Sequence, residues 1–487
     1  MTSHYSGMEL LPIAGNWGVG GSPQTLENID PFTGESLTHM HLATTIDVDD
    51  AFAGAAEQQP AWAALPAQKR ADVFHRAARI MEDRKDEIVD WLTREAGAIR
   101  ARAEWEWMAV RAVMLEAASY PSRVSGRILP ADLIPGKENR VYRRPLGTVA
   151  VISPWNFPMQ LSNRSVAPAL AVGNAVVLKP SSDTPVTGGL LLAKIYEEAG
   201  LPPGLLSVVV GKSSEIGDHL AAHPSAGLTS FTGSTAIGRH LAEQAPLQKM
   251  SLELGGNGPL VILEDAPIER AVSAAVFGSY FHQGQVCMAT NRIIVDERLH
   301  AEFVERLRER VSALTCGDPS DQDTDIGPVI NQKQFDAVLE KIDCARRQGA
   351  DVFAAGSPCG PTGRVLPPHV IVGDDNVATA SEEVFGPVAT VIKATDDDHA
   401  LAIANDTDYG LSSAVITADT ERGVRFALRM EAGMTHVNDT TVNDEPNTAF
   451  GGEKNSGVGR FGGEWAISEF TTDHWISVQH TERTYAI

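Results

Sequence analysis

The stretch that decides the fold begins GTVAVISPWNFP at residues 147–158 and ends MSLELGG at residues 250–256. Between these ends, short apolar runs rich in β-branched residues alternate with longer segments of helical character. This alternation is typical of a parallel sheet with helices on both faces. We expect its strands at residues 148–152, 175–178, 206–210, 228–231 and 250–254.

The chain after residue 251 continues the same alternation. Helical stretches there separate apolar runs at residues 260–263, 292–295, 370–372, 389–392 and 413–416. The sequence therefore predicts an α/β protein with two parallel sheets, each covered by helices on both faces.

The N-terminal part of the chain has a different character. Residues 1–45 are expected to form an extended, turn-rich lead-in. Apolar residues at helical spacing then predict one helix over 68–96, ended by Gly97, and a second helix over 102–118.

Composition and charge narrow the class of protein. The chain has 487 residues, four cysteines, a formal net charge of −23 and a pI of about 5.0. This acidic balance opposes nucleic-acid binding, and cysteines without CxxC spacing favour a reducing cytoplasm. The N-terminus lacks a secretory pattern, and the longest apolar run, residues 166–178, is too short to span a bilayer. We therefore expect a soluble cytoplasmic protein that binds neither nucleic acid nor membrane.

Two residues at the ends of one segment suggest covalent chemistry. Glu253 precedes Gly255 and Gly256, and Cys287 closes the polar phrase HQGQVC. A thiolate is a strong nucleophile, and a carboxylate that takes a proton from water can clear an intermediate from sulfur. A lone cysteine in a large protein is usually an inert core residue, so the neighbouring motifs decide the interpretation.

Seven phrases, in the same order and at similar spacing, resemble the motifs of the aldehyde dehydrogenases. They are PWNFP (154–158), KPSS (179–182), FTGS (231–234), ELGG (253–256), GQVC (284–287), EEVFGP (382–387) and FGGEKNSGVGR (450–460). The resemblance covers roughly residues 20 to 480. It implies an aldehyde dehydrogenase-like α/β fold, with two doubly wound parallel-sheet domains and a small β oligomerisation arm.

The resemblance also implies how the domains divide and how the chain assembles. The sequence alone describes the arm as a loop or hairpin joined by a late strand over residues 470–478. A homodimer or a homotetramer is implied. The implied ranges are 1–119 with 145–253 for the dinucleotide-binding domain, 254–452 for the catalytic domain, and 120–144 with 466–487 for the arm.

Three residues take catalytic roles by this resemblance. Cys287 would attack the aldehyde carbon to give a thiohemiacetal, from which a hydride leaves for a nicotinamide. Asn156 would stabilise the oxyanion, an interaction worth about 2.7–4 kcal/mol in such sites; alternatively it only caps the following helix. Glu253 would activate water to hydrolyse the thioester. Relatives that pass the acyl group to coenzyme A lack this glutamate, so it favours a free acid as product.

The implied cofactor is NAD or NADP, and the chemistry needs no metal. Residues 231–238 lack the GxGxxG pattern, but a glycine-containing turn that opens a helix suits a phosphate. Ser182 stands where the family has either a glutamate or a small residue, so the choice between NAD and NADP stays open. The implied cofactor residues are Ile152, Ser153, Pro154, Trp155, Lys179, Ser181, Ser182, Gly211, Phe231, Thr232, Gly233, Ser234, Ile237, Leu254, Gly255, Glu383 and Phe385.

Four further phrases more closely resemble those of the bacterial vanillin, benzaldehyde and salicylaldehyde dehydrogenases, which implies an aromatic aldehyde as substrate. They are NRSVAPAL (163–170), DTPVTGG (183–189), NRIIV (291–295) and NDTTVNDEP (438–446). An apolar, aromatic-bearing pocket suits a flat ring. Arg164 leaves an alternative, since it could attract a carboxylate-bearing semialdehyde, and an aliphatic aldehyde is also possible. A non-catalytic binding protein or an esterase on the same fold is the alternative of a different class. The implied pocket residues are Phe157, Met159, Gln160, Arg164, Val286, Met288 and Phe450.

Overall fold

The computed structural model describes residues 4–244 and 247–486, which form two large sheets covered by helices. The strands are β1 (Leu11–Ile13), β2 (Asn16–Gly18), β3 (Thr25–Ile29), β4 (Ser36–His41), β5 (Arg127–Leu129), β6 (Lys137–Pro145), β7 (Thr148–Ile152), β8 (Ala175–Lys179), β9 (Leu206–Val208), β10 (Ala226–Thr232), β11 (Met250–Glu253), β12 (Gly258–Ile262), β13 (Thr290–Asp296), β14 (Asp351–Ala354), β15 (His369–Val372), β16 (Val388–Ala394), β17 (Tyr409–Gly410), β18 (Ser412–Ile416), β19 (Met434–Val437), β20 (Glu453–Lys454), β21 (Gly457–Val458) and β22 (Thr471–Gln479).

The helices lie mainly between these strands. They are α1 (Thr45–Ala63), α2 (Ala67–Asp83), α3 (Lys85–Ala96), α4 (Arg100–Arg123), α5 (Pro158–Ala171), α6 (Leu191–Glu198), α7 (Asp218–Ala221), α8 (Thr235–Gln244), α9 (Ile268–Tyr280), α10 (Glu297–Ser312), α11 (Gln332–Arg347), α12 (Ala378–Ser381), α13 (Asp397–Asn405), α14 (Thr420–Ala427) and α15 (Gly463–Glu469). Two π-helical turns, Val186–Leu190 and Ser213–Gly217, lead into α6 and α7, and a 3-10 turn, Phe281–Gly284, follows α9.

The first large sheet has six strands in the order β21-β11-β10-β7-β8-β9. Five of them are parallel, and β21 pairs antiparallel with β11. Every residue of β7 and β8 is buried, as expected for strands with helices on both faces. The predicted strands of this half are confirmed. The edge strand β21 was not predicted, because two residues carry no periodic signal.

The second large sheet has seven strands in the order β14-β15-β16-β13-β12-β18-β19. Only β14 runs antiparallel to its neighbour. Alternate residues of β12 and β13 belong to two different hydrophobic clusters, which places one cluster on each face of the sheet. The α/β fold class with two parallel sheets is therefore confirmed.

The arm is a three-stranded antiparallel sheet in the order β22-β6-β5. Its register runs from Thr471 opposite Pro145 to Gln479 opposite Lys137. The hairpin and the late strand that joins it are thus both present. The division of the chain into domains stays a prediction.

Two predictions for the N-terminal part were incomplete or wrong. The lead-in contains two antiparallel hairpins, β1-β2 and β3-β4. The single helix predicted over 68–96 is two helices, since the backbone leaves the helical region at Arg84 (φ −113°, ψ 19°). The Arg84 guanidinium there pairs with Glu87 and Glu198 at 2.9 and 3.0 Å. Gly97 ends α3 in the left-handed conformation (φ 63°), as predicted.

None of the helices among residues 4–244 and 247–486 is long and apolar enough to cross a membrane.

Candidate active site

A cavity of about 330 Å³ opens at the carboxyl ends of β7, β10 and β11. In parallel α/β sheets this edge is where ligands bind. Its walls come from both halves of the chain. They are Pro154, Trp155, Asn156, Leu161, Thr232, Gly233, Ser234, Leu254, Gly255, Cys287, Gln334, Ala337, Lys341, Glu383, Val384 and Phe385.

Cys287 reaches the cavity from a loop with an unusual backbone. His282, Gln283 and Gly284 have successive φ values of 51°, 55° and 67°. The Gln283 side chain holds this left-handed turn by donating to the carbonyls of Gly97 (3.1 Å) and Pro328 (3.0 Å). Such backbone is costly and persists where the surroundings fix it. The loop thereby presents the sulfur at the cavity wall.

The Cys287 thiol is strongly biased towards its protonated form. Burial and, to a smaller extent, the nearby charge of Glu253 raise the pKa of the thiol to about 12, although Arg164 opposes the shift. A thiol in this state needs a proton acceptor before it can attack a carbonyl.

Asn156 lies in the loop between β7 and α5 and is almost completely buried. Its amide Nδ2 donates to the carbonyl of Gln285 at 2.9 Å, so the amide points towards the loop that carries Cys287. The side chain does not cap α5, and that alternative for Asn156 is wrong.

The N-terminus of α5 is instead capped from another helix. The Glu106 carboxylate of α4 accepts the N–H groups of Met159 and Gln160, each at 2.9 Å. Arg102, one turn earlier, pairs with Glu106 at 2.5 Å and donates to the carbonyl of Asn156. Both members of this pair are fully buried. The pair therefore fixes the segment on which Asn156 lies, by a contact that no local motif indicated.

Glu253 is the last residue of β11 and is 2% exposed. Neither of its carboxylate oxygens has a hydrogen-bond partner among residues 4–244 and 247–486. Burial raises its pKa to about 8, although Arg164 and Arg460 partly oppose the shift. A carboxyl group that titrates near neutral pH is suited to exchange protons with water or with a thiol.

Gly255 and Gly256 bring this strand end close to its neighbours. A Cβ on Gly255 would lie 2.6 Å from Glu383 Oε2, and a Cβ on Gly256 would collide with the carbonyl oxygen of Cys287. Glycine at both positions therefore lets the segment after Glu253 contact the Cys287 loop. Glu253 itself does not line the large cavity.

The predicted cofactor residues fall into two groups. Those that line the large cavity are Pro154, Trp155, Thr232, Gly233, Ser234, Leu254, Gly255, Glu383 and Phe385. The others lie around the same sheet but do not line the cavity. They are Ile152, Ser153, Lys179, Ser181, Ser182, Gly211, Phe231 and Ile237. Lys179 is buried at the end of β8, and burial lowers its pKa to about 8.

The cavity fits the nicotinamide-bearing end of a dinucleotide. Trp155 and Phe385 meet edge to face with ring centroids 5.4 Å apart, which gives an apolar wall for a flat ring. Glu383 presents a carboxylate whose Oε1 accepts the N–H of Gly256 at 2.9 Å, a group able to bind ribose hydroxyls. Gly233 stands just before α8, whose N-terminal N–H groups suit phosphate.

Sequence motifs did not indicate two polar residues of this cavity, Gln334 and Lys341. Both lie on α11 and hold the loop before β16. Gln334 donates to the carbonyl of Phe385 at 2.9 Å, and Lys341 donates to the carbonyl of Glu383 at 2.8 Å. The only sequence signal for these two residues was their spacing of seven, which places them on the same face of a helix.

A second, narrower cavity of about 20 Å³ lies on the other side of Cys287. Six of the seven predicted pocket residues line it. Met159 does not, since its side chain is fully buried in the core. The full lining is Trp105, Asn156, Phe157, Gln160, Leu161, Arg164, Val286, Cys287, Met288, Val442, Asp444 and Phe450. We call this cavity the substrate tunnel because we propose that the aldehyde binds in it.

The charge of Arg164 is already balanced within the tunnel wall. Its guanidinium forms an ion pair with Asp444 and lies 3.7 Å from the centroid of the Phe450 ring. Gln160 Nε2 also donates to Asp444, at 3.2 Å. Because the Arg164 guanidinium is already paired with Asp444, this arrangement does not favour the binding of a carboxylate-bearing aldehyde.

Three histidines, His282, His219 and His223, line neither of the two cavities. His282 is fully buried beside Phe157, and it lines neither cavity. Asp49, His219 and His223 have potential ligand atoms within 4.8 Å of one another, on α1 and around α7. The spacing of these two histidines was not recognised in the sequence.

Sequence comparison identifies the class to which this fold and site belong. The chain is a member of the aldehyde dehydrogenase family, which matches residues 17–476. It is an NAD(P)-dependent aldehyde dehydrogenase that acts on an aldehyde substrate. The predicted family and enzyme class are confirmed.

Relatives within the family are similar over nearly their whole length. A vanillin dehydrogenase of Corynebacterium glutamicum is 49% identical, covering 99% of this chain and 100% of that protein. A benzaldehyde dehydrogenase of Bacillus subtilis is 47% identical, covering 97% of each. The crystal structure of an NAD-dependent benzaldehyde dehydrogenase from Corynebacterium glutamicum superposes with a TM-score of 0.89 at 45% identity, covering 97% of this chain and 98% of that one.

Proposed function

We propose that this enzyme oxidises an aromatic aldehyde of the benzaldehyde or vanillin type to the free carboxylic acid. The observation that carries the proposal is the substrate tunnel, whose walls are mainly apolar and aromatic and whose one cation, Arg164, is paired with Asp444. The vanillin and benzaldehyde dehydrogenases similar to this chain give the same substrate class.

The first half of the reaction uses Cys287 and Asn156. The Cys287 thiol gives up its proton to solvent, and the sulfur attacks the aldehyde carbon, so that the C–S bond forms as the carbonyl π bond breaks. One amide hydrogen of Asn156 is held by Gln285, which orients the second hydrogen to stabilise the alkoxide together with the Cys287 backbone N–H. The bound dinucleotide supplies the acceptor for the hydride that leaves this carbon, and the carbon becomes a thioester.

The second half uses Glu253. Its carboxylate takes a proton from water, the oxygen attacks the thioester carbon, and the C–S bond breaks to release the acid and the Cys287 sulfur. Because the pKa of Glu253 is about 8, the group can both accept this proton and return it to the sulfur at neutral pH. Its carboxylate must turn towards the cavity to do so, and the absence of hydrogen-bond partners among the described residues leaves it free to turn.

Both NAD and NADP are proposed as cofactors. Ser182 is half-buried after β8 and carries no charge that would repel a 2′-phosphate. The proposed binding residues are those of the large cavity with the residues that follow β8.

A homodimer or homotetramer in the cytoplasm is proposed as the working form. The three-stranded arm exposes apolar side chains, among them Ile128 (73% exposed), Leu133 (92%) and Trp475 (63%), and a second copy could cover them. Four free cysteines suit a reducing compartment.

The test is a panel of benzaldehydes, acetaldehyde and succinic semialdehyde with NAD and with NADP, followed by the absorbance of the reduced cofactor. Benzaldehydes should give the highest kcat/KM. A tenfold or greater preference for succinic semialdehyde would refute the aromatic assignment. Ester hydrolysis without any reduced cofactor would instead identify an esterase.

A further inference from the structure

Gln160 carries a buried acceptor to which none of the described residues donates a hydrogen bond. The side chain lies on α5, is 3% exposed and lines the substrate tunnel. Its Oε1 has no hydrogen-bond partner in the part of the chain that the structure describes. Buried polar atoms are nearly always paired, so this oxygen indicates that something else supplies a donor.

The orientation of the Gln160 amide is fixed by its neighbour. Nε2 donates to the Asp444 carboxylate at 3.2 Å. A carboxylate is only an acceptor, so the amide nitrogen must face it and the amide cannot turn over. Asp444 is itself held by its ion pair with Arg164. Oε1 therefore remains an acceptor in the tunnel wall.

The same tunnel contains the residues that act on the aldehyde. Asn156 and Cys287 line it together with Gln160, Phe157 and Phe450. Because these side chains line one cavity, a ring whose aldehyde carbon contacts Cys287 would share that cavity with the Gln160 side chain.

We propose that Gln160 Oε1 accepts a hydrogen bond from a hydroxyl group on the substrate ring, which makes Gln160 a specificity-determining residue for hydroxylated benzaldehydes. This inference rests on the proposed function and names the substrate class more closely. A hydroxyl supplies the missing donor. A methoxy group has none, and a carboxylate substituent would meet Asp444 without a free cation to pair with.

A water molecule is the competing occupant. The tunnel volume of about 20 Å³ holds little more than one water, so the walls must shift to admit a ring. If a water stays on Oε1 while substrate is bound, a ring hydroxyl gains nothing from Gln160. The experiment separates these cases.

The kinetic test compares the native enzyme with Gln160→Met, which keeps the side-chain size and removes the acceptor. The substrates are benzaldehyde, the three hydroxybenzaldehydes and the three methoxybenzaldehydes. In the native enzyme, at least one hydroxy isomer should exceed benzaldehyde and its methoxy counterpart in kcat/KM. Gln160→Met should lower that hydroxy-to-benzaldehyde ratio by about threefold to tenfold, the range for one neutral hydrogen bond.

Leu161→Met is the matched control, because Leu161 lines the same tunnel without a polar atom. It should change the hydroxy, methoxy and unsubstituted substrates by similar factors. Ratios that are equal in the native enzyme and in Gln160→Met for all three hydroxy isomers would overturn the proposal.

A binding measurement on the native enzyme keeps the test independent of how Gln160→Met folds. Hydroxyacetophenones and methoxyacetophenones are ketones, so they have no aldehyde hydrogen to transfer. Calorimetry should show tighter binding for the hydroxy ketone of the preferred ring position, and equal binding would refute the role of Gln160. Poor turnover of every benzaldehyde would instead refute the proposed function itself.

Discussion

The protonation of Glu253 should set the pH dependence of thioester hydrolysis. With a pKa of about 8, the ionised fraction is about 1% at pH 6, 9% at pH 7, 50% at pH 8 and 90% at pH 9. Hydrolysis should therefore rise about tenfold from pH 6 to 7, fivefold from 7 to 8, and level off near pH 9. An ordinary glutamate, ionised throughout this range, would give a flat profile.

The variant Glu253→Gln tests the assignment, because it keeps the size of the side chain and removes its basicity. Stopped-flow absorbance should show a burst of reduced cofactor close to one per active site, followed by a slow steady state. The steady-state rate should fall by about 10²–10⁴, the usual contribution of a general base. When the steady-state rate of this variant is measured from pH 6 to 9, it should no longer show the plateau that Glu253 produces.

Ionisation of the Cys287 thiol adds a second pH dependence, which kinetic measurements can separate from that of Glu253. Its pKa of about 12 means that the ionised fraction keeps rising about tenfold per pH unit past pH 9. The burst rate reports that first half of the reaction, and the steady state after the burst reports hydrolysis. Hydrolysis that is flat between pH 6 and 9 in the native enzyme, or an unchanged steady state in Glu253→Gln, would refute the reasoning.

Three further outcomes are expected. Cys287→Ala should form no reduced cofactor even in a single turnover, and a full stopped-flow burst would remove this cysteine from the mechanism. Ser182→Glu should lower kcat/KM for NADP selectively through repulsion of the 2′-phosphate, whereas equal loss with NAD would show that the residue is elsewhere. Glu106→Gln should lower the free energy of unfolding by about 3–5 kcal/mol, because it leaves Arg102 buried without its partner; chemical denaturation measures this, and an unchanged midpoint would contradict it.

The sequence predicted most of the two sheets because their strands are short, apolar and rich in β-branched residues. The break at Arg84 was missed, since neither glycine nor proline marks it and the contacts of Arg84 with Glu87 and Glu198 form only in the folded chain. The π-helical turn Val186–Leu190 was missed for a similar reason. Its first N–H groups are bound by Glu95, which lies far away in sequence.

Within the candidate site, motifs indicated the proposed catalytic residues, but not the side chains that hold their segments in place. Cys287, Glu253 and Asn156 lie in recognisable phrases. The Arg102–Glu106 pair lies outside any such phrase, and no phrase indicated that Asp444 pairs with Arg164. The roles of these residues depend on contacts between α4, α5 and the segment before α15. Long-range ion pairs of this kind leave no periodic pattern in a sequence.

The pairing of β21 with β11 bears on how the enzyme is made in the cell. Glu253 lies opposite Gly457 in this ladder, so the ribosome must synthesise the entire second sheet before the strand that carries Glu253 gains its outer neighbour. Until then that strand keeps an open edge, which exposes the nascent chain to wrong pairings. A polypeptide released before Val458 contains Cys287, Asn156 and Glu253, yet lacks the strand that holds the glutamate in place. The C-terminal segment is therefore needed to complete the sheet that carries Glu253.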